Sequence, residues 1–339
     1  MIGNRYILDA REESIDENRL YQARDVLEEE KVFLKIINAN RYIKKDFIEN
    51  LIDISTTVND LGNRYILKLK NIGIHYKDNG EYCYYMAYEY IDGVELSELI
   101  AGNYLHPEAI MNISVEILKA LESIHSIDCG MHGMYDFGYH GSLKMNDIIV
   151  DKNYNVKIAD FGITAANRGE NIRAKGNYQY MSAPQICINY TDKESDLFAF
   201  GIILYEMIFK RRPFGTAKNE KDMLSRIDRG PDYRNIKVQK SYEKLVEIDK
   251  RLLSRKNKFK DCKEAIVELT GVLYQNTIET ERIEVPENTS IIDLRLIENE
   301  NKLIKEEQLR QMNRKIGVIK RSAAAMIIVA AILLAVGMY

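Results

Sequence analysis

The residues best suited to chemistry lie in one stretch, Tyr139–Gly162, which reads YHGSLKMNDIIVDKNYNVKIADFG. Its pattern predicts a loop, a short apolar strand over Ile148–Val150, a turn, and a second strand over Val156–Ala159. Ser142 lies in the loop, and its hydroxyl stays protonated at neutral pH, so it cannot accept a proton as a carboxylate would. Asp147 offers the carboxylate oxygen that hard cations such as Mg²⁺ favour.

This stretch resembles the catalytic and metal-binding loops of eukaryotic-type protein kinases, in which H-R-D-L-K-x-x-N is followed by D-F-G. The first motif here reads HGSLKMND over residues 140–147, and the second reads DFG over residues 160–162. The resemblance implies that Lys144 contacts the transferred phosphate and that Asp147 and Asp160 bind Mg²⁺. It places Ser142 where the family has its catalytic aspartate. Loss of that base costs a factor on the order of 10²–10⁴ in rate.

The N-terminal residues predict a five-stranded sheet, because runs of aromatic and branched residues recur between turn signals. The predicted strands cover Tyr6–Leu8, Arg19–Ala23, Val32–Ile37, Ile66–Ile74 and Glu81–Glu89. Within the third strand, Val-Phe-Leu-Lys ends at Lys35 and resembles the family's V-A-I-K, which implies that this lysine grips the α- and β-phosphates of ATP. The resemblance further implies a gatekeeper and a hinge that border the nucleotide, at Tyr88, Glu89 and Tyr90.

The loop between the first two strands departs from the family. Family members carry G-x-G-x-x-G there, because glycines let backbone amides approach phosphate oxygens closely. This chain has no glycine between Asn4 and Leu61, and the loop instead carries five carboxylates, Asp9, Glu12, Glu13, Asp16 and Glu17. Because like charges repel more strongly in a partly desolvated cleft than in water, we expect weak binding of ATP and Mg²⁺.

An amphipathic helix is predicted over Lys44–Val58, at the place of the family's C-helix. That helix normally offers a glutamate to the strand lysine. Alignment on Phe47 puts Asn50 at the glutamate position, with Glu49 one residue early. Because one residue turns a helical side chain by about 100°, the sequence leaves open which of the two lies inside.

The remainder of the resemblance predicts a helical second lobe. Pro107–Ile127 has the apolar spacing of a long helix, and a nearly uncharged segment, Leu197–Phe209, is too short to cross a membrane and is predicted to be buried core. The S-D-x-x-x-x-G motif begins at Ser195 and implies that Asp196 hydrogen-bonds the catalytic-loop backbone. The expected fold is therefore α+β, a two-lobed protein kinase fold with lobes at residues 1–90 and 91–275.

Further departures fall in the same machinery. Gly141 replaces the arginine that holds a phosphorylated loop, and Asn177 replaces a threonine that contacts the catalytic aspartate and lysine. Where the family has A-P-E paired with an arginine, this chain has Gln185 and Lys258. These losses, together with Ser142, predict a pseudokinase.

The C-terminal end predicts attachment to a membrane. Residues 276–321 read as a linker followed by a juxtamembrane helix, and Ser322–Tyr339 is apolar and uncharged. As a helix this last segment would be about 27 Å long, enough for a bilayer core. Basic residues precede it, at Arg314, Lys315, Lys320 and Arg321, which predicts a single-pass C-terminal anchor with the kinase-like domain in the cytoplasm.

Three functions are compatible with the sequence. The first is a pseudokinase that acts as a signalling or scaffolding module for an unidentified cytoplasmic protein. The second is a weakly active serine/threonine kinase, and the third is a nucleotide sensor without transfer. The formal net charge of −3 argues against general nucleic-acid binding.

Overall fold

The structure is a computed structural model that describes residues 1–9, 16–17, 19–102, 105–127, 138–172, 177–234, 240–256 and 258–280. Its first part is an antiparallel sheet. The sheet has the order β1-β2-β3-β5-β4. Its strands are β1 (Tyr6–Leu8), β2 (Leu20–Asp25), β3 (Glu30–Asn38), β4 (Leu69–Tyr76) and β5 (Tyr82–Glu89). The predicted five strands are confirmed. Lys35 lies in the middle of the sheet, opposite Leu20 on β2 and Met86 on β5.

The first helix, α1 (Phe47–Asp60), joins this sheet to the segment that follows Asp160. Its buried residues repeat at helical spacing, as expected for an amphipathic helix: Phe47, Asn50, Leu51, Ile54 and Val58. The apolar members of this set pack in one cluster with Phe33, Met86, Phe161 and Ile163. The position of Asp160 is therefore coupled to the packing of α1.

The rest of the described chain is mainly helical around a small second sheet of order β6-β7-β8. The strands are β6 (Gly93–Glu95), β7 (Ile148–Asp151) and β8 (Val156–Ile158). The helices are α2 (Leu96–Gly102), α3 (Pro107–His125), α4 (Ile163–Ala166), α5 (Ala183–Ile188), α6 (Lys193–Phe209), α7 (Glu220–Arg229), α8 (Glu243–Leu252) and α9 (Cys262–Thr280). This arrangement confirms the α+β prediction.

The central helix of this part is α6, and the prediction that Leu197–Phe209 is core is confirmed. Most of its residues are buried, and it packs against α3 and α8. Its N-terminus is closed by Asp192, whose side chain accepts a hydrogen bond from Ser195 N at 2.9 Å. The cap places Asp196 in the first turn of the helix.

The C-terminal predictions fall largely outside the described residues. The juxtamembrane helix and the segment Ser322–Tyr339 lie there entirely. Of the predicted linker only its beginning is described, and there α9 continues as a helix to Thr280. Among the described helices, none combines the length and the apolar character that a membrane crossing needs.

The glycine of the S-D-x-x-x-x-G motif allows α6 and α8 to approach each other. A Cβ atom on Gly201 would lie 2.8 Å from Leu253 Cδ2 and 3.0 Å from Leu252 Cβ. We expect Gly201→Ala to lower the free energy of unfolding by about 1–3 kcal/mol through overpacking. Urea unfolding of the full chain measures this loss.

The matched control is Gly271→Ala in α9, where an added Cβ meets no atom within 4 Å. Because alanine favours helix over glycine, this substitution should raise the free energy of unfolding by up to about 1 kcal/mol. Stabilisation by both substitutions would contradict the proposed close approach of α6 and α8.

Candidate active site

The catalytic-loop backbone is held by one buried carboxylate. Asp196 accepts hydrogen bonds from His140 N at 2.8 Å and from Gly141 N at 2.7 Å. His125 Nε2 also contacts Asp196, at 2.9 Å. The prediction that this aspartate binds the loop backbone is confirmed. The loop is therefore positioned from α6, a helix most of whose residues are buried.

The His140 ring connects the loop to the strand that precedes Asp160. Its Nδ1 accepts a hydrogen bond from Ser142 N at 3.3 Å, so the ring proton is on Nε2, which donates to Ala159 O at 2.9 Å. The Ser142 side chain is part-buried, and its hydroxyl makes no hydrogen bond to any described residue. Among the described residues, Ser142 is therefore held through its backbone N–H.

An arginine could not replace Gly141 without movement of the neighbouring residues. Its φ is +80°, in the left-handed region, and an added Cβ would lie 2.8 Å from Thr164 Cγ2 and 2.9 Å from Thr191 Cγ2. Gln185 Nε2 donates to the Gly141 carbonyl at 2.7 Å. Two of the departures from the family motifs therefore contact each other directly.

Gln185 and Lys258, at the places of the family's ion pair, contact other residues. Gln185 Oε1 accepts from Ser182 N at 2.9 Å and so caps α5. Lys258 is exposed and pairs with Glu194 at 2.6 Å. Asn177 begins a short 3₁₀ turn, Asn177–Gln179.

The predicted phosphate-binding and metal-binding residues meet in one buried charge cluster. Lys35 Nζ lies 2.9 Å from Asp160 Oδ2 and 3.3 Å from Asp147 Oδ1. Lys144 Nζ contacts the same Asp147 oxygen and lies 3.6 Å from Asp160 Oδ2. Tyr88 donates its phenolic hydrogen to Asp160 Oδ1 at 3.1 Å. The sequence motifs therefore identified side chains that the fold brings into contact.

All members of the charge cluster are almost inaccessible to solvent. Lys35 is 1% exposed, Asp147 0% and Asp160 3%, while Lys144 and Tyr88 are similarly buried. Two lysines balance two carboxylates, so the cluster satisfies its charges within the protein. A phosphate could reach Lys35 only after the surrounding residues moved.

Charge pairing outweighs burial at two of these groups. Burial by itself raises the pKa of Asp160, but Lys35 and Lys144 hold it well below the usual range. Burial by itself lowers the pKa of Lys35, but Asp160 and Asp147 raise it above its ordinary value. Burial dominates elsewhere and raises the pKa of Asp147 and of the Tyr88 phenol. Lys35 and Asp160 therefore form a charged pair at neutral pH.

The carboxylates fit a divalent cation. Oδ2 of Asp147 is buried and has no hydrogen-bond partner in the described structure, which leaves carboxylate oxygen available to a hard ion. Asp160 would supply the second carboxylate. A bound Mg²⁺ would neutralise phosphate charge there.

Helix α1 offers no carboxylate to Lys35. Asn50 is buried and donates from Nδ2 to Ala166 O at 2.9 Å, whereas Glu49 is exposed. The alignment on Phe47 thus gives the correct helical face. Asn50 on α1 therefore makes a neutral hydrogen bond to the segment after Asp160. Within the described structure, α1 makes no ion pair with Lys35.

The predicted hinge residues have different surroundings. Tyr88 belongs to the charge cluster, as described above. The Glu89 carboxylate pairs with Lys157 at 2.5 Å, and the Tyr90 ring packs on Phe33 with centroids 5.1 Å apart. The side chains of Glu89 and Tyr90 therefore support the strand edge and contact no member of the charge cluster in the described structure.

Sequence reasoning did not identify Glu95 on β6, a buried acid next to the catalytic loop. Its carboxylate accepts hydrogen bonds from Leu20 N at 2.6 Å, Ser97 Oγ at 3.0 Å and Asn146 Nδ2 at 2.9 Å. Burial raises its pKa above the ordinary value. The contact ties β2 to the catalytic loop. A lone glutamate between a hinge and a helix carries no distinctive spacing, so no sequence signal identifies it.

Comparison with known proteins agrees with this geometry. The family model described as protein kinase domain matches residues 18–269. Similar curated proteins include serine/threonine-protein kinase PrkC of Bacillus subtilis, 28% identical over 200 residues, which cover 58% of this chain and 29% of the relative. Serine/threonine-protein kinase Nek2 of Mus musculus is 30% identical over 214 residues, which cover 60% of this chain and 46% of the relative.

A probable serine/threonine-protein kinase of Streptomyces coelicolor is 28% identical over 202 residues, or 58% of this chain and 28% of that protein. The chain thus aligns with less than half the length of these relatives. The family match spans both the sheet that carries Lys35 and the helical part that carries Asp147 and Asp160. The chain therefore belongs to the protein kinase domain family.

Proposed function

We propose that this protein is a membrane-anchored pseudokinase, a kinase-shaped module that binds a cytoplasmic protein and transfers phosphate weakly or not at all. The observation that carries the proposal is Ser142 at the place of the family's catalytic aspartate. Phosphoryl transfer depends on positioning and on a carboxylate that orients the attacking hydroxyl. A serine hydroxyl supplies neither the charge nor the proton acceptor.

The surroundings of Ser142 support the same function. Lys35 pairs with Asp147 and Asp160, so its ammonium group is not free to bind phosphates. Glu95 accepts the Leu20 amide and holds β2 against the catalytic loop, where a nucleotide would have to enter. Each contact would have to break before productive binding.

The proposed anchor rests on the sequence. Ser322–Tyr339 is apolar and uncharged, and basic residues precede it. A segment of this kind would hold the kinase domain at the cytoplasmic face of a membrane. There the domain would act on or with proteins at the same surface.

A second candidate, nucleotide binding with little or no transfer, is favoured by one observation. The buried Oδ2 of Asp147 has no hydrogen-bond partner in the described structure, as expected of an oxygen that could accept a cation.

Titration distinguishes the two candidates. For the pseudokinase module we expect the melting temperature of the full chain to stay unchanged in millimolar ATP, with and without Mg²⁺. A rise with ATP and Mg²⁺ together, absent in EDTA, would favour the second candidate.

Restoring the base gives a sharper test of transfer. If Ser142 were the single defect, Ser142→Asp would raise phosphate incorporation into serine- and threonine-containing peptides by about 10²–10⁴-fold. Lys35 is also paired with Asp160, and the Leu20 amide is hydrogen-bonded to Glu95. We therefore expect Ser142→Asp to raise phosphate incorporation by less than about tenfold in a radiolabel transfer assay. EDTA provides the control for metal-dependent transfer. A gain of a hundredfold or more would show that the rest of the site is competent.

Lys35 should matter for stability in this protein. Its removal leaves Asp147 and Asp160 with Lys144 as their remaining close cation in the described structure. We expect Lys35→Met to lower the free energy of unfolding by about 3–5 kcal/mol, measured by urea titration, because a buried charge loses its partner.

The matched control lies on the same strand. Lys31 is exposed, and Lys31→Met removes the same charge without touching the cluster. Lys31 Nζ lies 5.3 Å from the centroid of the Tyr90 ring, an exposed cation–π contact, so the effect of Lys31→Met should stay within about 1 kcal/mol. Equal stabilities of the two variants would contradict a structural role for Lys35.

A further inference from the structure

Five arginines surround a cavity of about 920 Å³ on the helical part of the chain. The cavity lies between the turn at 211–216 and the residues from the end of α7 to residue 234. The arginines are Arg211, Arg212, Arg226, Arg229 and Arg234, and Asp232 also lines the cavity. This concentration of positive charge contrasts with the net charge of −3 for the whole chain.

Nearby carboxylates neutralise only part of this charge. Three of the arginines have a carboxylate partner, in the pairs Arg212–Glu206 at 3.2 Å, Arg226–Asp222 at 3.0 Å and Arg234–Asp232 at 3.0 Å. The other two, Arg211 and Arg229, form no ion pair with any described residue. The cavity therefore retains an excess of cationic groups.

The guanidinium groups are oriented by backbone carbonyls, which fix a side chain without cancelling its charge. Arg211 Nη2 donates to Asp232 O at 3.2 Å, and Arg229 Nε donates to Ser225 O at 3.3 Å. Arg226 Nη1 donates to Phe214 O at 3.1 Å. Oriented guanidinium groups lose little freedom when they bind an anion, and their planar fork matches phosphate oxygens.

The walls of the cavity are fixed to each other. Asp232 N donates to Pro213 O at 2.9 Å, which joins the two chain segments that form the opposite sides. Gly215 and Gly230 have φ values of +65° and +85°, which give the turns that bend the chain around the space. The cavity is a preformed feature of the fold.

A second cavity of about 980 Å³ adjoins the first and shares Phe214, Arg229, Gly230 and Pro231 with it. Its lining includes apolar residues, among them Leu197, Phe198 and Leu253, together with charged residues of both signs, among them Glu194, Asp228 and Lys258. We call the two cavities together the arginine groove. One side of this groove suits apolar side chains, and the other suits a multiply charged anion.

We propose that the arginine groove binds a phosphorylated peptide segment of a partner protein. The phosphate lies among Arg211, Arg229 and the other arginines, and the apolar side chains that flank it enter the adjoining cavity. Clusters of arginine recognise phosphorylated motifs by paired hydrogen bonds to phosphate oxygens. A concave groove with fixed walls suits an inserted side chain, whereas a membrane surface needs a flat or convex contact. The proposal goes beyond the function above and requires neither catalysis nor nucleotide.

The test uses the full 339-residue chain and a fluorescein-labelled peptide with one phosphoserine flanked by leucine and phenylalanine. Fluorescence anisotropy should show binding that weakens as salt rises, because exposed charges are screened. The same peptide with unmodified serine should bind at least about tenfold more weakly, since the charged hydrogen bonds are lost. Equal affinity for the two peptides, or binding of neither, overturns the proposal.

The variant Arg211→Gln/Arg229→Gln removes the two arginines without an ion-pair partner in the described structure. We expect it to weaken phosphopeptide binding by at least about tenfold. The control Arg24→Gln/Arg64→Gln makes the same change of charge at two exposed residues of the other part of the fold and should leave binding unchanged. Equal losses in both double variants would indicate non-specific charge attraction and overturn the proposal.

Sedimentation with phosphatidylcholine vesicles that contain phosphatidylserine tests the alternative occupant. The Arg211→Gln/Arg229→Gln chain should bind these vesicles as the original chain does. If this variant loses vesicle binding and keeps its affinity for the phosphopeptide, the arginine groove contacts lipid, and the peptide proposal is wrong.

Discussion

The pairing of Lys35 with two buried carboxylates is the interaction on which the rest of the structure depends. It joins the first sheet, through β3, to the catalytic loop and to the segment after β8. All three side chains are almost fully buried. If one of them left the cluster, the remaining members would keep a buried charge that lacks its partner. The two parts of the kinase fold are therefore connected by charge as well as by apolar contact.

Around this cluster, the departures from the family motifs form a connected set. The Gly141 carbonyl accepts the Gln185 amide, and its left-handed backbone lies against Thr164. Asn50 binds the Ala166 carbonyl at the place where the family has a glutamate. Side chains that would normally serve transfer or its regulation have been replaced by groups that hold neighbouring backbone segments together.

The sequence predicted the fold and identified the residues that form the charge cluster, because these residues occur in motifs with fixed spacing. Lys35, Asp147 and Asp160 could be identified without knowledge of any contact, since Lys35 lies within a strand of recognisable pattern, Asp147 just before one and Asp160 just after one. Glu95 and the arginine groove could not, because their partners come from distant parts of the chain with no shared period. The continuation of α9 to Thr280 could not be predicted, because a polar, acidic segment can be either linker or exposed helix.

Some motif residues of the family are retained and others are replaced, and this difference follows from their surroundings. Loss of Lys35, Asp147 or Asp160 would leave a charge unpaired in a region that water does not reach, and the cost falls on folding itself. Ser142 is part-buried, is held by its backbone and contributes no charge to the cluster, so a change there leaves the fold intact. Retention of the buried lysine and aspartates is therefore expected of a kinase fold with or without transfer. The identity of residue 142 responds to catalysis alone, and it carries more weight than the retained motifs in deciding what this protein does.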